Sequence, residues 1–353
     1  MSIIEAMNIG RLGVYTKFPN LEKYINSLDS KNVICELNSL KRYSKGEFFE
    51  IEEEYVGKYT YSIANAKSDL NYLCGHFENE YLVNALKNNS NWQEGYRKAV
   101  YYRYWFERIN RKFCDKILGE FNSGQREQLL LFLSMAVEIS YLGIFIKEGL
   151  IEKAKKLIEE YFSYQSLELI ENPIPIFYDS KNIYNRRTQY FILRLFNSYI
   201  SKTDENFPSC AYDEPLFNAI IRYWDTTNIK LIEHLLLCLC DRHTHQCRPD
   251  TATKFYDFSW PGFEYLPVEV LMVLRLRSEK GLENPILDHI IMNTPLGELY
   301  PKKEPYMDDF LLGILKRVRQ EYPDFADDLF GAGAPYEFEI KTKETNKWKF
   351  WKK

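Results

Sequence analysis

The sequence predicts an all-α protein, an array of antiparallel helix hairpins with at most a short strand near the C-terminus. Three observations predict it. Apolar residues recur at three- and four-residue steps through most of the chain from Glu47 onward. Alternating segments are few. Two Gly-Leu stops, at Gly149 and Gly281, each follow a charged helix end and lead into a further amphipathic stretch.

In chain order, a polar, turn-rich start gives way to helical spans. They cover Glu47–Asn88, Asn91–Phe121, Arg126–Glu148, Ile151–Tyr164, Tyr184–Ser201, Glu214–Trp224, Ile229–Asp241, Pro267–Lys280 and Tyr306–Glu321. In the second span Tyr102, Phe106, Ile109, Phe113 and Ile117 form one apolar stripe. Arg97, Arg108, Arg111 and Lys112 fall on the other side, with Tyr101, Tyr104 and Trp105 among them. Basic residues interleaved with aromatics can grip single-stranded nucleic acid. Here Glu94, Glu107 and Asp115 dilute the charge, so a solvated face is expected.

Two segments alternate. PIPIFY (Pro173–Tyr178) carries prolines that favour a linker or edge. YEFEIKTK (Tyr336–Lys343) reads as a short strand or an extended tail. The break Glu171–Asn185 divides the chain into an N-terminal helical half, 1–170, a linker, 171–185, a C-terminal helical half, 186–335, and a basic aromatic tail, 336–353. A second polar break starts at Thr203.

Around Gly149 the chain reads IFIKEGLIEKAKKLIEEYF and around Gly281 LRSEKGLENPILDHIIMN. Glycine beyond a helix end takes the left-handed conformation that stops it, and leucine then docks the returning chain. Stacked hairpins of this kind present grooves to other proteins.

Composition narrows the function. Hydrophobic residues make up 45% and charged residues 27% of 353, an ordinary globular balance. The 27 Tyr and 23 Phe suit wide helix interfaces and binding faces alike. Net charge is −4, which argues against a general nucleic-acid binder. The tail from Lys341 to Lys353 holds six lysines against one glutamate, +5, which leaves −9 for the body. An acidic body suits a basic protein partner. The seven scattered cysteines form no disulfide framework, so a reducing cytoplasm is expected. The start lacks a secretory signal, and the longest apolar run, Leu129–Ile146, carries Glu138 at its centre, so no membrane association is expected.

The stretch CLCDRHTHQC, residues 238–247, raises the possibility of metal. Cys238 and Cys240 end a buried-helix run, and residues two apart on a helix point about 200° away from each other. They therefore read as core hydrophobes. His243 and His245 share a face if the chain is extended after Asp241, with Cys247 as third ligand and Asp241 or Asp257 as candidate carboxylates. That defines an alternative, a metal-dependent enzyme using His243, His245 and Cys247. The preferred expectation is a polar helix end with no metal, no cofactor and no catalytic residue. The chain contains no phosphate-binding loop, dinucleotide fingerprint, zinc-protease helix or nucleophile elbow.

Acidic clusters occur at Glu50–Tyr55, at Tyr306–Phe310 and at Asp324–Phe330. Such carboxylates are usually solvated helix ends, and Asp308 and Asp309 in a first turn suit the helix dipole. If a partner is basic, Asp308, Asp309, Asp324, Asp327 and Asp328 are the candidate partner-binding residues.

The segment WPGFEYLPVEVLMVLRLRSEKGLENPILDHII (Trp260–Ile291) combines an aromatic turn, a proline-started helix, an Arg-rich end and a Gly-Leu stop. It resembles the C-terminal part of helical immunity proteins from bacterial polymorphic-toxin systems. The resemblance implies a cytoplasmic, all-α, non-enzymatic protein that binds and occludes a cognate toxin, for instance a basic nuclease. It brings no catalytic residues. A helical-repeat scaffold for some other protein is the remaining expectation.

Overall fold

The computed structural model describes residues 1–28, 32–53, 57–120, 135–165, 187–201, 207, 209–251, 254, 256–259 and 262–332. Among these, thirteen α-helices accompany one two-stranded antiparallel sheet, so the protein is mostly helical. The chain forms two compact units. The first comprises Met1–Asn32 and Cys74–Tyr306, the second Val33–Leu73 and Met307–Lys353. The expected linker 171–185 and the tail strand Tyr336–Lys343 lie outside the described residues.

In the first unit, α1 (Ile3–Met7) begins with a capping box between Ser2 and Glu5, and α2 (Leu21–Ser27) with an Asn20 cap. The second part of α4 (Ile63–Leu86) follows, then α5 (Trp92–Glu120), α6 (Met135–Lys147), α7 (Ile151–Gln165), α8 (Arg187–Tyr199), α9 (Pro215–Tyr223), α10 (Ile229–Gln246) and α11 (Val268–Glu279). The sequence VEVLMVLRLR distributes apolar residues around the whole helix, and α11 is buried from Val268 through Arg277, its charged residues Glu269, Arg275 and Arg277 included. It packs on α6 and α8, while α9 and α1 pack on α10. Gly143 sets the close approach of α6, because a Cβ there would stand 3.3 Å from Ile192 Cδ1 and 3.6 Å from Val268 Cβ. Each fully buried aliphatic side chain in this core contributes about 1.5–3 kcal/mol.

Arginines tie the loops down. Arg277, fully buried, donates to the carbonyls of Trp224 (2.6 Å), Thr226 (2.9 Å) and Glu283. Arg275 donates to the carbonyls of Lys147 (2.6 Å) and Tyr300.

In the second unit, α12 (Asp309–Glu321) packs on α3 (Ile34–Ser44). The contact is close at Gly313, where a Cβ would lie 2.8 Å from the Ser44 carbonyl oxygen. Tyr43 donates its hydroxyl to Glu321 at 3.0 Å. Buried Arg319 donates to the carbonyls of Phe325 (2.6 Å) and Gly331 (2.7 Å), either side of the short α13 (Asp327–Phe330).

Four expectations need correction. The start is not merely turns, since α1 and α2 are short capped helices and α3 is a helix of 11 residues. The span from Glu47 is not one helix. Strands β1 (Glu50–Glu53) and β2 (Gly57–Thr60) pair with Ile51 opposite Tyr59, so the sheet lies here. Gly57, the first residue of β2, has φ +83°, and Phe49 stacks on Tyr61 at 4.7 Å. In α5, the face expected to be solvated is covered: every residue from Tyr101 to Arg111 is buried, Arg108 and Arg111 included. The Arg108 guanidinium lies 4.9 Å from the Trp105 ring, and Arg103 holds Glu78 through two bonds of 2.7 and 3.0 Å.

The fourth correction concerns the Gly-Leu echo. At Gly149 the amide of Leu150 reaches Phe145 and that of Gly149 reaches Ile146; at Gly281 the same pair of bonds returns to Arg277 and Ser278. Both glycines have φ near +70° (+74° and +69°). Only the first stop leads into a helix, α7. After Gly281 the chain stays extended, because Pro285 lacks an amide donor and disfavours helix at Asn284. Asn284 instead bonds the Leu274 carbonyl and Ser278.

Candidate functional site

The cysteine-histidine stretch lies on α10, which runs five residues past Asp241 to Gln246. The extended chain that would align His243 with His245 is therefore replaced by helix, and the two rings diverge. His243 places Nδ1 2.8 Å from Glu269 Oε1 and Nε2 2.8 Å from the Phe263 carbonyl oxygen. Both neighbours accept, so the ring donates from both nitrogens and is an imidazolium. Burial pulls its pKa down, but Cys247 and Glu269 more than reverse this and hold it well above the ordinary histidine value. His245 instead donates to the Gly13 carbonyl at 3.0 Å. Burial pushes the thiols of Cys238 and Cys247 up to about 11. Among the described residues, no three His, Cys, Asp or Glu side chains are placed to share a metal ion.

The neighbouring charges are also engaged. Asp241 is fully buried; it accepts from Arg11 Nε and Nη2, the latter at 2.8 Å, and lies 3.2 Å from His289 Nε2. Burial would raise its pKa, yet the Arg11 bonds win and lower it. His289 Nδ1 accepts the Ile291 amide at 3.4 Å, so this ring is the neutral Nε2–H tautomer, and burial lowers its pKa. Arg242 donates to Asp257 (2.7 Å), Thr188 (3.0 Å) and Glu214 (3.3 Å), clamping α8 and the approach to α9. This polar layer fixes helices, with Asp241, Arg242 and His243 buried and Arg11 reaching them from the surface.

The five candidate acids belong to the second unit. Asp308 is the N-cap of α12 and accepts the Leu311 amide at 2.8 Å. Asp327 lies 2.8 Å from Arg319. Asp309, Asp324 and Asp328 are exposed.

A different feature opens to solvent in the first unit. A notch with a volume of about 20 Å³ is bordered by Tyr96, Arg97 and Tyr101 of α5, Glu148 at the end of α6, and Tyr300 and Lys303. On this measure one water needs about 10–15 Å³, so the enclosed part of the notch has room for about one water. Its walls are preset. Arg275 grips the carbonyls of Lys147 and Tyr300, and Tyr96 accepts from the buried Lys147 ammonium at 3.0 Å. Lys147 stands 3.5 Å from Glu148 and offsets its charge. Arg97 donates through Nη2 to Glu94 (2.8 Å) and through Nη1 to the Glu304 carbonyl (3.4 Å). Its Nε is buried without a partner among the described residues, as is the Tyr101 hydroxyl. Burial and the nearby Glu148 push the Tyr101 pKa up to about 12, so the hydroxyl keeps its proton.

In sequence, Arg97 and Tyr101 read only as part of a solvated face. Their four-residue spacing on α5 was the one available signal, since the opposite wall comes from residues 148 and 300–303.

Comparison with protein-family models, with curated proteins and with solved structures finds no match. None of the described helices is long and apolar enough to cross a membrane.

Proposed function

We propose that this is a protein-binding helical module and, within that class, a cytoplasmic immunity protein that occludes a cognate toxin. The observation that carries the binding reading is the notch: a preformed depression whose border includes tyrosines and an arginine. Tyr and Arg are the residue types that dominate binding energy at interfaces, above all in preset pockets. The immunity reading rests further on the likeness of Trp260–Ile291, on the helical hairpin at Gly149, and on the acidic body, which would steer a basic toxin.

The test is co-expression with the product of the neighbouring reading frame, the candidate toxin. A stoichiometric complex and restored growth are expected. Replacing Arg97 and Tyr101 together with alanine should weaken the complex at least tenfold, the scale of a central interface anchor. Growth that is not rescued, with no complex formed, sinks the immunity reading.

A further inference from the structure

We infer that His234 and Cys238 of α10, with the main-chain carbonyl of Ile9, form a binding site for a divalent cation of the zinc class. The two side chains are four residues apart on the helix and so share one of its faces. Their reactive atoms converge. His234 Nε2 lies 3.8 Å from Cys238 Sγ, and the Ile9 carbonyl oxygen lies 2.9 Å from that nitrogen and 3.6 Å from that sulfur. A point about 2 Å from all three atoms falls inside this triangle, and zinc stands about 2.0–2.3 Å from nitrogen, oxygen and sulfur ligands. A tetrahedral ion holds an imidazole nitrogen and a thiolate sulfur about 3.5 Å apart, close to the observed spacing. One thiolate, one imidazole and one carbonyl suit zinc and not an oxygen-seeking ion such as magnesium.

Access and charge favour the same ion. Cys238 is buried, but His234 and Ile9 are half-buried and Asn8 and Gly10, on either side of Ile9, are exposed. A Cβ on Gly10 would meet no atom within 4 Å, so a water can complete the coordination from the solvent side. The charged groups that act on the Cys238 thiol, Arg11 and Asp241, are paired with each other and do not oppose a cation. On binding, the thiol gives its proton to solvent, the His234 ring moves its proton from Nε2 to Nδ1, and both lone pairs turn to the ion. Metal–ligand bonds then replace the two hydrogen bonds to Ile9 and fasten the N-terminal segment to α10. Two side chains and a carbonyl hold zinc more weakly than the four side chains of a structural site, so the ion exchanges and is lost on purification. The site stands whether or not the immunity reading does.

The probe is cobalt(II) chloride, titrated into the full chain under reducing conditions, with zinc chloride as competitor and magnesium chloride as control. A thiolate-to-cobalt charge-transfer band is expected that saturates at one cobalt per chain, is abolished by zinc and is untouched by magnesium. One proton should be released per cation. Cys238→Ser should remove the band, and His234→Gln should weaken binding at least about tenfold, since losing even a hydrogen-bond partner of a metal ligand costs that much. Cadmium-113 NMR of the unaltered chain gives a readout that needs no variant: scalar coupling from the metal to the Cys238 β protons and to the His234 ring. A titration that does not saturate, cobalt affinity unchanged in either variant, coupling to another cysteine instead, or displacement by magnesium overturns the proposal.

Discussion

His243 donates Nδ1–H to Glu269 Oε1 across 2.8 Å, and neither side chain has any solvent exposure. The pair joins α10 to α11 in the first unit, and each partner makes the charge of the other tolerable in a dry interior.

Stability should therefore peak near pH 6.5. His243 titrates above its unfolded value of about 6.5, so its contribution is full below that pH and is lost as pH rises through its folded pKa. His289 titrates below the unfolded value, so its neutral form favours folding above about pH 6.5, and that advantage fades as pH falls. Urea midpoints between pH 5 and 9 check this. Glu269→Gln should flatten the alkaline limb and His289→Gln the acid limb. A midpoint that is constant from pH 6.5 to 9 in the wild-type protein contradicts the assignment of an imidazolium.

Protein purified under reducing conditions should carry no stoichiometric zinc. The reason is the divergence of His243 and His245 on a helix that continues to Gln246, with both His243 nitrogens committed. Elemental analysis decides it. One zinc per chain, lost on changing both histidines to alanine, would restore the metal-enzyme alternative.

Two glycines on helices should respond oppositely to alanine. At Gly75 no atom lies within 4 Å of the new Cβ, so Gly75→Ala should gain about 0.5–1 kcal/mol from helix propensity. At Gly313 the Cβ would sit 2.8 Å from the Ser44 carbonyl oxygen, which is backbone and yields little. Gly313→Ala should lose about 1–3 kcal/mol, the range for overpacking. Denaturant curves of the two variants against wild type provide the comparison; equal signs would discount the α3–α12 packing.

Asp308 separates folding from binding. Asp308→Ala removes the α12 cap and should cost about 1 kcal/mol, whereas Asp308→Asn keeps a capping oxygen and should cost little. Amides at 308, 309, 324, 327 and 328 together should slow association with a basic toxin and reduce its salt dependence. Deleting Lys341–Lys353 should do neither. Stopped-flow binding at two salt concentrations reads both. Abolition by the tail deletion, with the five-amide variant unaffected, would remove these acids from the interface.

The helical class was legible because burial on one side of a helix imposes a 3.6-residue period, and α7, α9 and α12 follow it. The α11 run was legible as a helix from Pro267 to the Gly281 stop. The hairpin at Glu50–Thr60 was not, since four residues of alternation are too few to compete with the adjoining helix signal. Nor was the burial of Arg103, Arg108 and Arg111, because a charged residue reads as surface until its aromatic or acidic cover is known. For the notch, sequence supplied Arg97 and Tyr101 on one helix and gave no sign that residues 148 and 300–303 complete it.

Three of the buried arginines grip main-chain oxygens. Arg275 holds Lys147 and Tyr300, Arg277 holds Trp224, Thr226 and Glu283, and Arg319 holds Phe325 and Gly331, each through its carbonyl. A carbonyl is common to every amino acid, so these anchors are indifferent to which side chain the gripped residue carries. The connecting segments can then exchange outward-facing residues without loosening their attachment, which separates the upkeep of the scaffold from the wording of its surface.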